Sequence, residues 1–217
     1  MKIGVPKEVK NNEHRVGLTP DSVKALTEDN HEVFVETDAG REIGFTNNDY
    51  INSGAKILNT PEDLYKSSEL IVKVKEPIRE EFKYLSKDHT IFAYLHLAGD
   101  TQSGLELTST GVTGIALETV TSADGSMPLL SPMSAIAGQL SVVVGSYHLL
   151  KPNKGMGTLI GSYKDIEPRV VTVIGAGVAG TEAIEKALAN KSFVKVIDLS
   201  PKRLEELKIL FGDKNIE

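Results

Sequence analysis

Three glycines in the run VVTVIGAGVAG, Gly175, Gly177 and Gly180, stand at the spacing Gly-x-Gly-x-x-Gly. The β-prone residues Val170 to Ile174 precede them, a helix-forming run Thr181–Asn190 follows, and Val194–Ile197 reads as the next strand. Each glycine has a physical use. Gly175 permits a tight turn, Gly177 lets the backbone approach a pyrophosphate, and Gly180 lets helix and strand pack closely. The helix starting there presents free N–H groups and the positive end of its dipole to phosphate oxygens. Asp198 ends the second strand, 18 residues beyond Gly180. Its carboxylate can accept hydrogen bonds from ribose hydroxyls and would repel a 2′-phosphate, which favours NAD over NADP. The plainer readings are a glycine-rich turn with no ligand and, for Asp198, a helix cap, a role open also to Ser200 beside Pro201.

A second group lies in the first half. Arg15 stands in the polar loop Asn11–Val16, Lys75 ends Leu70–Lys75, and His96 ends Ile91–His96 before a Leu97-Ala98-Gly99 turn. In open α/β sheets ligands gather at the carboxyl ends of strands, so a cation and an imidazole are delivered to one sheet edge. Arg grips carboxylates through two parallel hydrogen bonds, Lys polarises a carbonyl, and imidazole titrates near neutrality. Lys73, on the same strand, is expected to matter far less than Lys75. The plain alternatives are a solvated lysine, a structural histidine, and an Arg15 paired with Glu13 or Glu8. His14, His31, His89 and His148 lack the spacing of a metal site.

These residues need strands to position them. Candidate strands are Lys2–Pro6, Glu32–Glu36, Leu70–Lys75, Ile91–His96, Thr113–Leu117, Val170–Ile174 and Val194–Ile197, alternating with helical segments. That rhythm predicts an α/β fold with mostly parallel sheets. Thr19 reads as a helix N-cap with Pro20 at the first helical position, and Asn30 as its close. The composition changes near Gly125–Pro128, and Ser131-Pro132 then opens a long apolar segment, read as a connecting helix. Lys151–Pro168, rich in Gly, Pro and Lys, is a loop.

Composition narrows the classes. Cysteine is absent, so thiolate catalysis and disulfides are excluded. A net charge of −6 with no basic block speaks against a nucleic-acid partner. No apolar run reaches the ~20 residues of a membrane span, and the N-terminus has no signal-like stretch, so a cytoplasmic protein is expected.

Taken in order, MKIGVPKEVKNNEHRVGLTP, LIVKVKEP, YLHLAG, ALETV, PLLSPMS and VIGAGVAGT make the chain resemble the alanine dehydrogenases over almost its whole length. The NAD-binding component of proton-translocating transhydrogenase is a close relative that shares the opening motif and the glycine segment. It differs at the KVKEP and YLHLA segments, notably lacking the histidine, and this sequence has both. The resemblance implies two Rossmann-like domains joined by a long helix, the second incomplete. Residues 1–130 would be the N-terminal portion of the substrate domain, and 131–217 the first portion of the NAD-binding domain. The implied reaction is oxidative deamination of L-alanine to pyruvate and ammonia with NAD. Arg15 and Lys75 match residues that hold the substrate's carboxylate and carbonyl oxygen, and His96 matches the acid/base of the carbinolamine and imine steps. Ser134 matches a cofactor contact, and Val178, Asp198 and Arg203 fall where the family lines its NAD cleft, with Ala179 inside the glycine turn. A homohexamer is implied as well. Family members run further, with a catalytic Asp beyond residue 217, so the isolated chain is expected to lack turnover. The alternatives are a non-catalytic remnant or binding module, and a transhydrogenase subunit.

The family pattern is broken in three places. Ala135 and Gly138-Gln139 replace a Glu and a Gly-Arg pair, Gly161–Asp165 replaces a Gly-Gly-Val-Pro-Gly-like segment, and Asn190–Phe193 replaces a Gly-Leu-Gly-Ala-like turn.

Overall fold

The computed structural model describes residues 1–212 and 214–217. Two compact units make up the chain, Met1–Val120 and Thr121–Glu217.

The first unit is built on a six-stranded, wholly parallel sheet. Its strands are β1 (Lys2–Val5), β2 (Glu32–Glu36), β3 (Lys56–Leu58), β4 (Leu70–Lys75), β5 (Thr90–Tyr94) and β6 (Thr113–Ala116), in the order β3-β2-β1-β4-β5-β6. This is the doubly wound order of a Rossmann-like sheet. The helices α1 (Pro20–Glu28), α2 (Asn47–Asn52), α3 (Pro61–Ser67), α4 (Arg79–Phe82) and α5 (Thr101–Ser109) connect the strands. One apolar cluster joins Ile3, Val5, Val23, Val33, Val35 and Tyr50, and another joins Leu64, Tyr65, Ile71, Ile91, Ala93 and Leu107. β-Branched residues dominate the strands because parallel strands buried on both faces read as continuous apolar runs. Thr19 caps α1 by accepting from Ser22 N, Pro20 sits in its first turn, and Asn30 follows its end at φ 64°.

The structure departs from the expected strands in two places, one of them chemically important. β5 stops at Tyr94, so His96 stands beyond the strand rather than at its end, with φ 49°. β3 was not foreseen, since a three-residue strand gives no readable alternation.

The second unit opens with the helix α6 (Ser131–Leu149), with Pro132 in its first turn. Two parallel strands follow, β7 (Val170–Ile174) and β8 (Phe193–Ile197), with α7 (Val178–Ala189) between them and α8 (Pro201–Phe211) after them. The glycine-motif helix therefore begins at Val178, three residues before the sequence pattern placed it, because the turn itself enters the helix. Val142, Val173, Ala183, Ile184, Ala187, Val194 and Leu207 form the core. Gly138 of α6 is pressed on α7, where a Cβ would meet the Ala179 carbonyl oxygen at 2.1 Å.

Candidate functional site

In the first unit the strand order reverses between β1 and β4, so the connections leaving their carboxyl ends diverge and open a crevice there. The loop after β1 brings Glu8, Lys10, Glu13 and Arg15 towards this edge, and β4 ends in Lys75. Arg15 grips Glu13: Nε donates to Oε1 at 2.8 Å and Nη2 to Oε2 at 2.6 Å, while the Arg15 backbone N–H also donates to Oε1. Of the partners open to Arg15, Glu13 is one it takes. Arg15, chiefly through its side-chain hydrogen bonds, and Lys75 through its charge together hold the Glu13 carboxyl down at about 2. Glu13 thus sits electrically between the two cations. Lys75 is half-buried, yet its ammonium makes no hydrogen bond or ion pair among the described residues. A half-buried ammonium whose N–H groups make no hydrogen bond is suited to a ligand oxygen.

His96 is exposed and lines a neighbouring cleft of ≈ 720 Å³ with Lys10, Glu76, Pro77, Leu95 and Gly104. Its left-handed backbone is uncommon for a residue with a side chain. Glu118, beyond β6, supports that conformation by accepting the His96 backbone N–H at 2.7 Å and that of Leu95 at 3.2 Å. Tyr94 stacks on His96 with ring centroids 6.3 Å apart, and its phenol interacts electrostatically with Arg15. Arg15 itself lines a smaller cavity of ≈ 290 Å³, with Lys10 in the walls of both. Burial is the largest single influence on the Glu76 carboxyl and would raise it, but the bond from Lys10, its own backbone amide and the charges of Lys10 and His96 together lower it. Arg15 and Lys75 are therefore brought together around Glu13, and His96 is linked to Arg15 through Tyr94, without all three lining one cavity.

In the second unit a cleft of ≈ 1030 Å³ is lined by Ser134, Gly175, Gly177, Val178, Ala179 and Gly180, together with apolar residues of α6, β7 and α7. Gly175 has φ 92°, a conformation that costs any other residue. A Cβ on Gly180 would lie 1.9 Å from the Gly175 carbonyl oxygen, whereas one on Gly177 would meet nothing within 4 Å. Gly180 packs, and Gly177 keeps open space before the α7 N-terminus. No side chain caps α7, so its first-turn amides face that space without an intrahelical partner. These features fit a dinucleotide pyrophosphate.

Asp198 and Arg203 stand behind the turn. Asp198 Oδ2 accepts from Ala176 N at 2.7 Å and Oδ1 from Ser200 N at 2.8 Å, and these two amides hold its carboxyl below the usual range. Arg203 Nε donates to the Ala176 carbonyl at 2.9 Å, Nη2 to Thr181 Oγ1 and Nη1 to Glu206. The Ala176 backbone is held on both sides of its Cα, and Ser200 caps α8.

The sequence reading missed Lys10, Tyr94 and Glu118 as contributors to the strand-end site. Glu118 stood inside the quoted ALETV motif, but no spacing tied it to His96. Only the parallel pairing of β5 with β6 brings them together.

Family profiles match both units: "Alanine dehydrogenase/PNT, N-terminal domain" over residues 4–137 and "Alanine dehydrogenase/PNT, C-terminal domain" over 141–217. The alanine dehydrogenase of Staphylococcus epidermidis is 46% identical over 214 residues, which is 99% of this chain and 57% of that protein. That of Methanococcus maripaludis is 42% identical with the same coverage. The chain thus spans little more than half the length of these relatives. A solved L-alanine dehydrogenase matches all of this chain and 60% of its own, with a TM-score of 0.90 and 44% identity. A transhydrogenase from Sinorhizobium meliloti matches with a TM-score of 0.81 at 25% identity, covering 100% of this chain and 64% of its own.

Proposed function

The chain belongs to the alanine dehydrogenase/PNT family, and from that premise we propose that the whole protein oxidatively deaminates L-alanine to pyruvate and ammonia with NAD. The observation that carries the reading is Lys75, a half-buried ammonium with no hydrogen bond or salt bridge among the described residues, at the switch point of the sheet and beside the Arg15–Glu13 pair. Lys75 polarises the carbonyl oxygen of pyruvate, and Arg15 binds its carboxylate. His96 moves the proton of the carbinolamine and imine steps. Residues 1–130 serve the substrate and 131–217 the cofactor.

The dinucleotide is held by the Gly175–Gly180 turn, with Val178 and Ala179 supplying first-turn amides, Ser134 on the facing helix, and Asp198 and Arg203 behind. When bound, NAD takes up the substrate's hydride. Asp198 keeps negative charge at the end of β8, which favours NAD over NADP. The same family reading carries a cytoplasmic homohexamer. The transhydrogenase reading is disfavoured by Lys75-Glu76-Pro77 and His96.

The test is alanine-dependent NADH formation by the whole protein. Lys75→Ala should depress kcat/KM for alanine by about tenfold or more, the loss of a charge-assisted bond, while exposed Lys87→Ala leaves it unchanged. His96→Ala should chiefly lower kcat, by ~10²–10⁴-fold. Wild-type rates in Lys75→Ala would defeat the assignment. The isolated 217-residue chain should show no appreciable turnover, since a partial site does not hold reacting atoms at the ~3–3.5 Å separation required.

A further inference from the structure

We infer that Glu8 is a positioning residue for Lys75: its buried carboxylate fixes the irregular end of β4 from which Lys75 projects. The inference rests on the reading of Lys75 as a substrate contact.

β4 and β5 fall out of step just before the site. Val72 stands opposite Phe92 and Lys75 opposite Tyr94, so β4 takes one more residue than β5 over this stretch. An extra residue of this kind bends the strand, leaves backbone groups outside the ladder and re-aims the side chains that follow. Glu8 supplies the missing acceptor. Its Oε1 accepts the Val74 N–H at 2.6 Å and that of Lys75 at 3.4 Å. Gly17 presses on the same spot from the loop after β1, since a Cβ there would lie 2.4 Å from the Val72 carbonyl oxygen.

The carboxylate that does this is out of water. The Glu8 side chain is 1% exposed, and its compensating charge is Lys73, 0% exposed, with Nζ 3.3 Å from Glu8 Oε2. Lys73 Nζ is also 2.8 Å from Glu81 Oε1, which accepts the Tyr65 hydroxyl as well, while Glu81 Oε2 accepts the Ile78 N–H. A buried polar chain therefore runs from Tyr65 through Glu81 and Lys73 to Glu8 and ends on the amide of Lys75. An apolar pair of similar volume could fill the space of Glu8 and Lys73. It could not accept the Val74 and Lys75 amides. That difference separates a positioning role from a packing role.

The experiment exploits it with two charge-matched double variants of the 217-residue protein, E8Q/K73M and E8L/K73M. Both take Lys73 away from Glu81 alike and neither leaves a charge at position 8, so their difference isolates the acceptor there, which only the first keeps. K75A and the wild type complete the set, and each is titrated with pyruvate while backbone amides are followed by NMR. Wild type should bind and K75A should lose about tenfold in affinity. E8L/K73M should lose as much as K75A, and E8Q/K73M should stay within about threefold of wild type, with Val74 amide exchange fast only in the leucine variant. Equal affinities in the two double variants, with K75A impaired, would overturn the role of Glu8 while leaving the reading of Lys75 intact. Pyruvate binding by K75A as tight as by wild type, or no binding by wild type, would overturn the reading itself. If E8L/K73M does not fold, E8L alone, which keeps the Lys73–Glu81 pair, is compared with E8L/K75A: additive losses overturn the coupling, and non-additive losses support it.

Discussion

The two candidate sites sit on the same kind of parallel sheet yet are held by different physics. The strand-end site of the first unit rests on side-chain charge taken out of water, with Lys73 wholly buried between Glu8 and Glu81. The glycine turn of the second unit rests on backbone shape, with Asp198 and Arg203 gripping the two peptide groups that flank Ala176. The ion pair in the second unit that joins β8 to the chain end, Lys195 with Glu217, is open to solvent. Buried charge fixes the end of the strand that carries Lys75. Backbone shape suffices where the partner is a phosphate read by amides. The lesson is that equally generic-looking residues differ greatly in what they hold up.

The sharpest way to break this comparison is Lys73→Met. It orphans two buried carboxylates and should destabilise the first unit by ~3–5 kcal/mol, the usual cost of removing one partner of a buried pair. Lys195→Met in the second unit should change stability by under ~1 kcal/mol. Urea unfolding followed by NMR signals of each unit distinguishes them. Similar losses from both variants would mean that burial does not separate the two regions.

Gly180→Ala tests the backbone-built site. Alanine gains about 1 kcal/mol of helix propensity over glycine. Against that stands the Gly175 carbonyl oxygen at 1.9 Å, a backbone atom that cannot swing away. Overpacking of this sort costs ~1–3 kcal/mol, so the net should be a loss confined to the second unit. A stabilised variant would show that the turn has slack.

Both the fold class and the glycine turn were legible in the sequence, for a shared reason. Strand runs such as Leu70–Lys75 and Val170–Ile174 announce themselves through β-branched residues, and Gly-x-Gly-x-x-Gly is a local constraint on backbone shape. The supports of the first site were not legible. Lys73 reads as the bland neighbour of Lys75, but the β-bulge and the loop after β1 bury it. Glu8 and Glu81 meet it from distant parts of the chain, a contact no local pattern encodes. The breaks in the family pattern also become intelligible only in three dimensions. Gly161 packs on the Asn190 carbonyl, Ser162 N donates to Lys191 O, and Gln139 bonds Glu182, so the altered segments meet one another or α7.

A smaller effect sharpens the electrostatic side. Glu13 is held at about 2, chiefly by hydrogen bonds from the Arg15 side chain. Its folded value lies below its unfolded one, so its contribution to stability is present above the ordinary carboxylate range near 4.5 and fades as pH falls towards 2. A carbon-detected NMR titration of Glu13 should give that low midpoint, and Arg15→Met should return it towards 4.5. An unchanged midpoint in Arg15→Met would remove Arg15 as the cause.

The smallest expected effect on folding belongs to Gly177→Ala, and it separates shape for packing from shape for binding. Gly177 caps α7 at φ −68°, a value any residue adopts, and a Cβ there meets no atom within 4 Å. Alanine is a poorer N-cap than glycine, a cost on the order of 0.5 kcal/mol. It also restricts the unfolded chain, a gain of ≈ 0.4–1 kcal/mol where the native backbone suits it. The two nearly cancel, so stability should hold within about 0.5 kcal/mol, in contrast to Gly180→Ala only three residues away. The added methyl would instead stand in the open space before the α7 amides, where the pyrophosphate is proposed to lie. NADH affinity of the 217-residue protein, read by nucleotide fluorescence, should therefore fall about tenfold or more, since each amide–phosphate bond forced apart is a charge-assisted one. A variant that binds NADH as the wild type does, at unchanged stability, would show that the space before α7 is not where the dinucleotide sits.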